Sequence, residues 1–143
     1  MLIVSKCLTG ECCRYDGRSK PDPEIAALVN EGRAIAVCPE QLGGLPTPRV
    51  SAELTGTGED VLSGKARAVT RDGRDVTEKF VTGAEKTLAI ARLAGAKRAI
   101  LKAKSPSCGC GLIYDGSFSG RLVPGTGVAA ALLEKNGIEV ETR

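Results

Sequence analysis

Three short apolar runs in this chain each lead into a cysteine set among turn-forming residues. Residues 1–4 precede Cys7, residues 34–37 precede Cys38 and Pro39, and residues 98–101 precede Lys102-Ala103-Lys104-Ser105-Pro106-Ser107-Cys108-Gly109. Apolar runs of this length bounded by Gly and Pro read as buried strands. Pro fixes φ and Gly accepts positive φ, so the chain turns sharply as it leaves the last of these strands. Helical patterns lie between the runs. Residues 23–31 put Ile25, Leu28 and Val29 on one face, behind Asp22 as N-cap and Pro23 in the first turn, with Gly32 as the stop. Residues 77–94 carry Phe80, Ala84, Leu88, Ala91 and Leu93 as a mostly apolar stripe closed by Gly95. Residues 128–136 form a third helix, opened by Gly125-Thr126-Gly127 and ended by Gly137, and residues 138–140 a last strand.

Strands alternating with helices imply parallel pairing through helical crossovers. The expected fold is α/β: one three-layer domain over residues 1–143, with a mainly parallel sheet, flavodoxin-like or Rossmann-like. A small hairpin insertion is expected at residues 66–75, turning on Arg71-Asp72-Gly73-Arg74. Residues 39–57 and 105–123 read as long irregular stretches, and loops of that length are usually functional. With the three strands as parallel neighbours, Cys7, Cys38 and Cys108 meet at one sheet edge, where open α/β sheets place their ligands.

Composition narrows the chemistry. A chain of 143 residues buries enough surface to fold without disulfides or metal. Tyr15, Phe80, Tyr114 and Phe118 are the only aromatics, so the core must be aliphatic. The net charge of +3 is too small to argue for nucleic acid. No apolar run approaches a signal-peptide core or a membrane span, which predicts a soluble, cytoplasmic protein with six reduced cysteines. There is no histidine, which removes the commonest general base, every Cys–His dyad and every mixed Cys/His zinc site.

The thiols themselves leave two metal readings open. A structural zinc would need a fourth protein ligand, which Cys13 could supply. An iron–sulfur cubane held by three thiolates would instead leave one iron open to a substrate. A protein that binds zinc or senses redox state through these thiols, without catalysis, is the rival of another class.

At this point the motifs carry a resemblance. Cys7-Leu8-Thr9-Gly10-Glu11-Cys12-Cys13-Arg14-Tyr15-Asp16-Gly17 resembles the opening motif of the thiouracil desulfurase family. Cys38-Pro39-Glu40, Gly43-Gly44-Leu45, Pro48-Arg49 and Ala52-Glu53 are similar to its second block. Leu101-Lys102, Ser105-Pro106-Ser107-Cys108-Gly109, Ile113-Tyr114-Asp115-Gly116, Phe118-Ser119-Gly120 and Gly127-Val128 are similar to its third. The resemblance implies a four-iron four-sulfur cluster bound by Cys7, Cys38 and Cys108, with one iron lacking a protein ligand. It implies non-redox removal of sulfur from 2-thiouracil, 4-thiouracil or 4-thio-UMP, the substrate sulfur meeting the open iron. Cys13 stands at a position that the family tends to keep as cysteine, whereas Cys12 and Cys110 are read as incidental. Some relatives act on thiolated tRNA through a further domain; a tRNA thiouridine desulfurase or a sulfur carrier using the same site remains the alternative.

With no histidine, Glu40 is the expected general base, two residues from Cys38; its alternative role is a carboxylate that caps a loop amide or pairs with Arg49. Ser105, with Ser107 as second choice, is the expected donor to the ring nitrogen or exocyclic oxygen. Arg49 and Glu53 are expected to pair and fix a loop, and Arg14 and Tyr15 to line the entrance. Lys102 and Lys104 could steer an anionic substrate or form a solvated edge, and Gly125-Thr126-Gly127 reads as an ordinary helix start, with amides for a phosphate as the alternative. Tyr15-Asp16-Gly17 and Tyr114-Asp115-Gly116 read as two similar turns flanking one site. The expected partner is a small thiopyrimidine or thionucleotide, not a membrane or nucleic acid, with the chain a monomer or homodimer.

Overall fold

The computed structural model describes residues 1–143. In chain order the elements are β1 (Leu2–Ser5), a 3-10 turn (Lys6–Thr9), α1 (Pro23–Asn30), β2 (Ala34–Val37), α2 (Pro39–Leu42), β3 (Ala52–Leu54) and α3 (Gly58–Leu62). Then follow β4 (Ala68–Thr70), α4 (Thr77–Leu93), β5 (Arg98–Leu101), β6 (Cys110–Tyr114), β7 (Leu122–Thr126), α5 (Val128–Lys135) and β8 (Glu139–Thr142).

β2, β1, β5 and β8 form one parallel sheet in that order. Successive side chains of a strand point to opposite faces, and here both faces are covered. Val4 and Ile100 pack with Ile25 of α1 on one side; Ile3, Ala99 and Leu101 pack with Leu88 and Ala91 of α4 and Leu133 of α5 on the other. The three-layer α/β expectation therefore holds. Asp22 caps α1 as expected, its Oδ1 accepting from Glu24 N at 3.1 Å. Arg143 bonds the Asp22 and Glu24 carboxylates at 3.0 and 2.9 Å, which ties the last residue to the start of that helix. No helix is long and apolar enough to cross a membrane.

The two irregular stretches contain more order than the sequence suggested. Residues 39–57 include α2 and β3, and residues 105–123 include β6 and part of β7, which pair antiparallel from Cys110↔Thr126 to Tyr114↔Leu122. The hairpin turn at Gly73 is present, with Val69 bridged to Asp75. Its main strand, however, pairs with an upstream partner: β4 lies antiparallel to β3, Glu53 opposite Val69. Strands of three residues with Gly and Pro nearby have little propensity of their own, and tertiary burial decides them. A second core of Leu54, Ala68, Phe80, Ala84, Ile113 and Val128 roots both small sheets on α4 and α5.

α2 lies against α4 at a pair of glycines. A Cβ at Gly83 would overlap the Pro39 carbonyl oxygen, and one at Gly43 the Lys79 carbonyl oxygen. In an isolated helix Gly→Ala gains about 1 kcal/mol. Here Gly83→Ala should instead lower stability by about 1–3 kcal/mol, because it wedges α2 away from α4. A denaturant melt measures this, and a raised midpoint would contradict the packing described.

Candidate functional site

β1 sits between β2 and β5, in register from Ser5↔Val37 and Val4↔Ile100, so the three strands end level with one another. Cys7 follows β1 in the 3-10 turn, Cys38 is the N-cap residue of α2 directly after β2, and Cys108 lies in the loop after β5. That loop is built by Ser105, whose Oγ accepts from Ser107 N and Cys108 N, each at 3.1 Å. It is then clasped by the start of α5. Val128 N donates to Pro106 O at 2.9 Å and Ala130 N to Ser107 O at 3.0 Å, while a Cβ at Gly127 would sit 2.6 Å from Ser107 O. The amides of Val128 and Ala130 thus hold the cysteine loop and do not stand free for a phosphate, the alternative read at this helix start.

Cys7, Cys38 and Cys108 line one cavity of about 460 Å³, and Cys13 lines it with them. All four are buried, at 3–8% exposure. Cys12 is exposed and Cys110 lies 3.7 Å from Glu134, both away from the cavity lining. The thiols feel one another. A hydrogen bond from Cys13 pulls the Cys7 thiol below its ordinary value, against burial and the fields of Cys108 and Cys38. Cys13 is drawn down by its bond with Cys38, but donation to Cys7 and burial outweigh that and push it up to about 11. Cys38 is raised by donating to Cys13 and by burial. Cys108 is pushed up to about 12, chiefly by burial, with the hydroxyls of Ser5 and Ser105 opposing. Burial lowers the Lys102 ammonium beside them.

The donor set fits an iron–sulfur cluster. It consists of converging soft sulfur ligands with no imidazole, the ligand chemistry such clusters use. No three Cys, Asp or Glu side chains are gathered closely enough to ligate a single metal ion.

Glu40 stands in the first turn of α2 and lines the cavity. Its Oε2 accepts from Arg49 at 2.6 Å, with the Arg49 side chain 5% and the Glu40 side chain 17% exposed. Arg49 also donates to Thr47 Oγ1 at 3.0 Å and Pro46 O at 3.2 Å. The expected Arg49–Glu53 pair is absent. Glu53 instead accepts from Gly116 N at 2.9 Å and Phe118 N at 3.2 Å. Ser105 lines the cavity; its oxygen accepts from two amides, and its hydroxyl also faces the Cys108 thiol. Ser107 is not brought to the cavity; its Oγ is buried without a partner.

Arg14, Tyr15, Lys102 and Lys104 line the cavity, as expected of groups at an entrance. The repeated Tyr-Asp-Gly turns do flank it: Asp16 accepts from Arg18 N at 3.0 Å and Asp115 from Ser117 N at 2.9 Å, and both tyrosines line the cavity. Sequence reasoning missed Arg71 and Phe118. The signal available for Phe118 was the scarcity of aromatics.

Fold and site together define an α/β protein with a thiol-lined cavity at the C-terminal edge of a parallel sheet. The chain matches the 2-thiouracil desulfurase family over residues 2–143. A Bacillus subtilis (strain 168) protein, the uncharacterised YbbK, is 52% identical over 141 residues, spanning 98% of this chain and 93% of its own. A solved structure of TudS, a 4Fe–4S-dependent thiouracil desulfidase, superimposes with a TM-score of 0.88 at 46% identity, covering 99% of this chain and 89% of the other. The chain therefore belongs to the 2-thiouracil desulfurase family, a family of enzymes.

The Glu40–Arg49 pair is largely buried, so removing one partner strands the other charge. Arg49→Met should cost at least about 2 kcal/mol in a denaturant melt, and Glu40→Gln in that background should recover much of it. Additive effects in the double-mutant cycle would contradict direct pairing.

Proposed function

We propose that this protein hydrolyses the thiocarbonyl of thiolated pyrimidines such as 2-thiouracil, 4-thiouracil or 4-thio-UMP. Water replaces sulfur on the ring carbon, and uracil or UMP leaves with hydrosulfide. C=S becomes C=O at the same carbon oxidation level, so no external oxidant or reductant is consumed. The convergence of Cys7, Cys38 and Cys108 in one cavity beside Glu40 is the observation that carries this reading.

Those three residues would hold a four-iron four-sulfur cluster, with Cys13 as the neighbouring fourth thiol. When bound, the cluster supplies a thiophilic Lewis acid with one iron free of protein ligands, able to polarise a thiocarbonyl. Glu40 takes the proton of the attacking water, and Arg49 fixes the direction of its carboxylate. The Ser105 hydroxyl, its oxygen already engaged by two amides, donates to the ring nitrogen or exocyclic oxygen as the C–S bond opens. Lys102 and Lys104 give the cavity a cationic side for an anionic thionucleotide. Six unpaired cysteines suit the reducing cytoplasm, where we place the protein.

Anaerobic reconstitution followed by iron and sulfide analysis, then turnover of 2- and 4-thiouracil, tests the proposal. About four irons per chain are expected, with loss of thiocarbonyl absorbance and release of sulfide. Cys7→Ala, Cys38→Ala and Cys108→Ala should each lose iron and turnover, while Cys12→Ala and Cys110→Ala keep both. Glu40→Gln should keep the iron and lose roughly 10²–10⁴ in rate. A protein that takes up zinc but no iron, or that carries the cluster and releases no sulfide, would overturn the reading.

A further inference from the structure

Of the chain's four aromatic side chains, Phe80 is buried in the core, while Tyr15, Tyr114 and Phe118 all line the thiol cavity. A chain with so few aromatics gains most stability by burying them, so this placement points to something that aromatic surface recognises. Phe118 is the most constrained of the three. Its φ is +56°, in the left-handed region that a side-chain-bearing residue enters at a cost and that recurs at ligand clamps. Two contacts hold it there. Glu53 on β3 receives the amides of Gly116 and Phe118, tying the β6–β7 turn to the other small sheet. The Arg71 guanidinium, just after β4, lies 5.2 Å from the Phe118 ring centroid. Arg71, Glu53 and Phe118 all line the cavity. A side chain that merely filled the loop would need neither the strained backbone nor the buttress.

We propose that Phe118 is the specificity-determining surface of the site, a rigid ring on which a flat conjugated heterocycle stacks. Arg71 lies against the ring, and Glu53 positions it through the backbone. The site then selects thiolated bases over open-chain thioureas and thioamides, which lack an extended π-face. The substrate named here rests on the desulfurase reading, whereas the stacking surface can be tested with the sulfur-free base alone.

The experiment uses the cluster-loaded protein, with calorimetric titration of uracil beside steady-state kinetics on 2-thiouracil and thiourea. Phe118→Leu should keep its iron content, bind uracil about tenfold more weakly and raise KM for 2-thiouracil by a similar factor, with kcat nearly unchanged. The preference for 2-thiouracil over thiourea should fall about tenfold. Phe118→Tyr should restore wild-type values, and Glu53→Ala should raise KM without loss of iron. Unchanged uracil affinity and KM in Phe118→Leu would overturn the proposal, as would loss of iron or of cooperative melting, which would make the ring structural. Wild-type protein that binds uracil in a Phe118-dependent way but releases no sulfide would remove the desulfurase reading and leave the stacking surface standing. Wild-type protein that binds no uracil would remove the stacking surface itself.

Discussion

Parallel pairing of β1 with both β2 and β5 is the constraint on which the site depends. Because the three strands run the same way and end level, their C-terminal turns open on one edge, and residues far apart in the chain meet there. Each turn brings a cysteine to the cavity, and the stretch after β1 brings Cys13 as well. A slip of one residue in either pairing would move a thiol's strand to the opposite face and break the convergence. The register is held by strands buried on both sides, with α1 against one face and α4 and α5 against the other.

The convergence carries an electrostatic cost. Four buried thiols, with Lys102 itself partly desolvated, cannot all ionise: burial and neighbouring thiols raise Cys13, Cys38 and Cys108, and the Cys13 hydrogen bond lowers only Cys7. Such a site is poorly suited to free thiolates and well suited to a cationic iron core, which deprotonates its thiol ligands outright. The surrounding scaffold is rigid where this chemistry needs it. The start of α5 clasps the Cys108 loop by its carbonyls, and α2, bearing Cys38 and Glu40, is seated on α4 through facing glycines. Glu53 joins the two small sheets into a wall for the same cavity.

The parts of this arrangement legible in the sequence were those carried by strong local signals. Apolar runs ending in Cys located the three strands, and Asp22-Pro23 located a helix start to the residue. The cysteine motif blocks carried the family, and Glu40 and Ser105 reached the cavity where they were expected. What stayed hidden depends on tertiary pairing. β3 and β4 are three residues each, and β7 contains Pro124, so their local sequence reads as loop until Leu54, Ala68 and Ile113 are buried against α4 and α5. Arg49 pairs with Glu40, the alternative the sequence offered, and not with Glu53, because four residues of spacing say nothing about which way a loop carries each side chain. Ser107 lies two residues after Ser105, yet its hydroxyl is buried and does not line the cavity.

The central claim is that three strand-end thiolates hold a four-iron cluster whose fourth iron has no protein ligand. Mössbauer spectroscopy of protein reconstituted anaerobically with isotopically enriched iron reads this most directly. The account predicts one cluster per chain with three thiolate-ligated irons and one distinct iron, whose signal shifts when 2-thiouracil is added and which is unchanged in Cys13→Ser. Four equivalent irons that lose their equivalence in Cys13→Ser would make Cys13 a fourth ligand and contradict it.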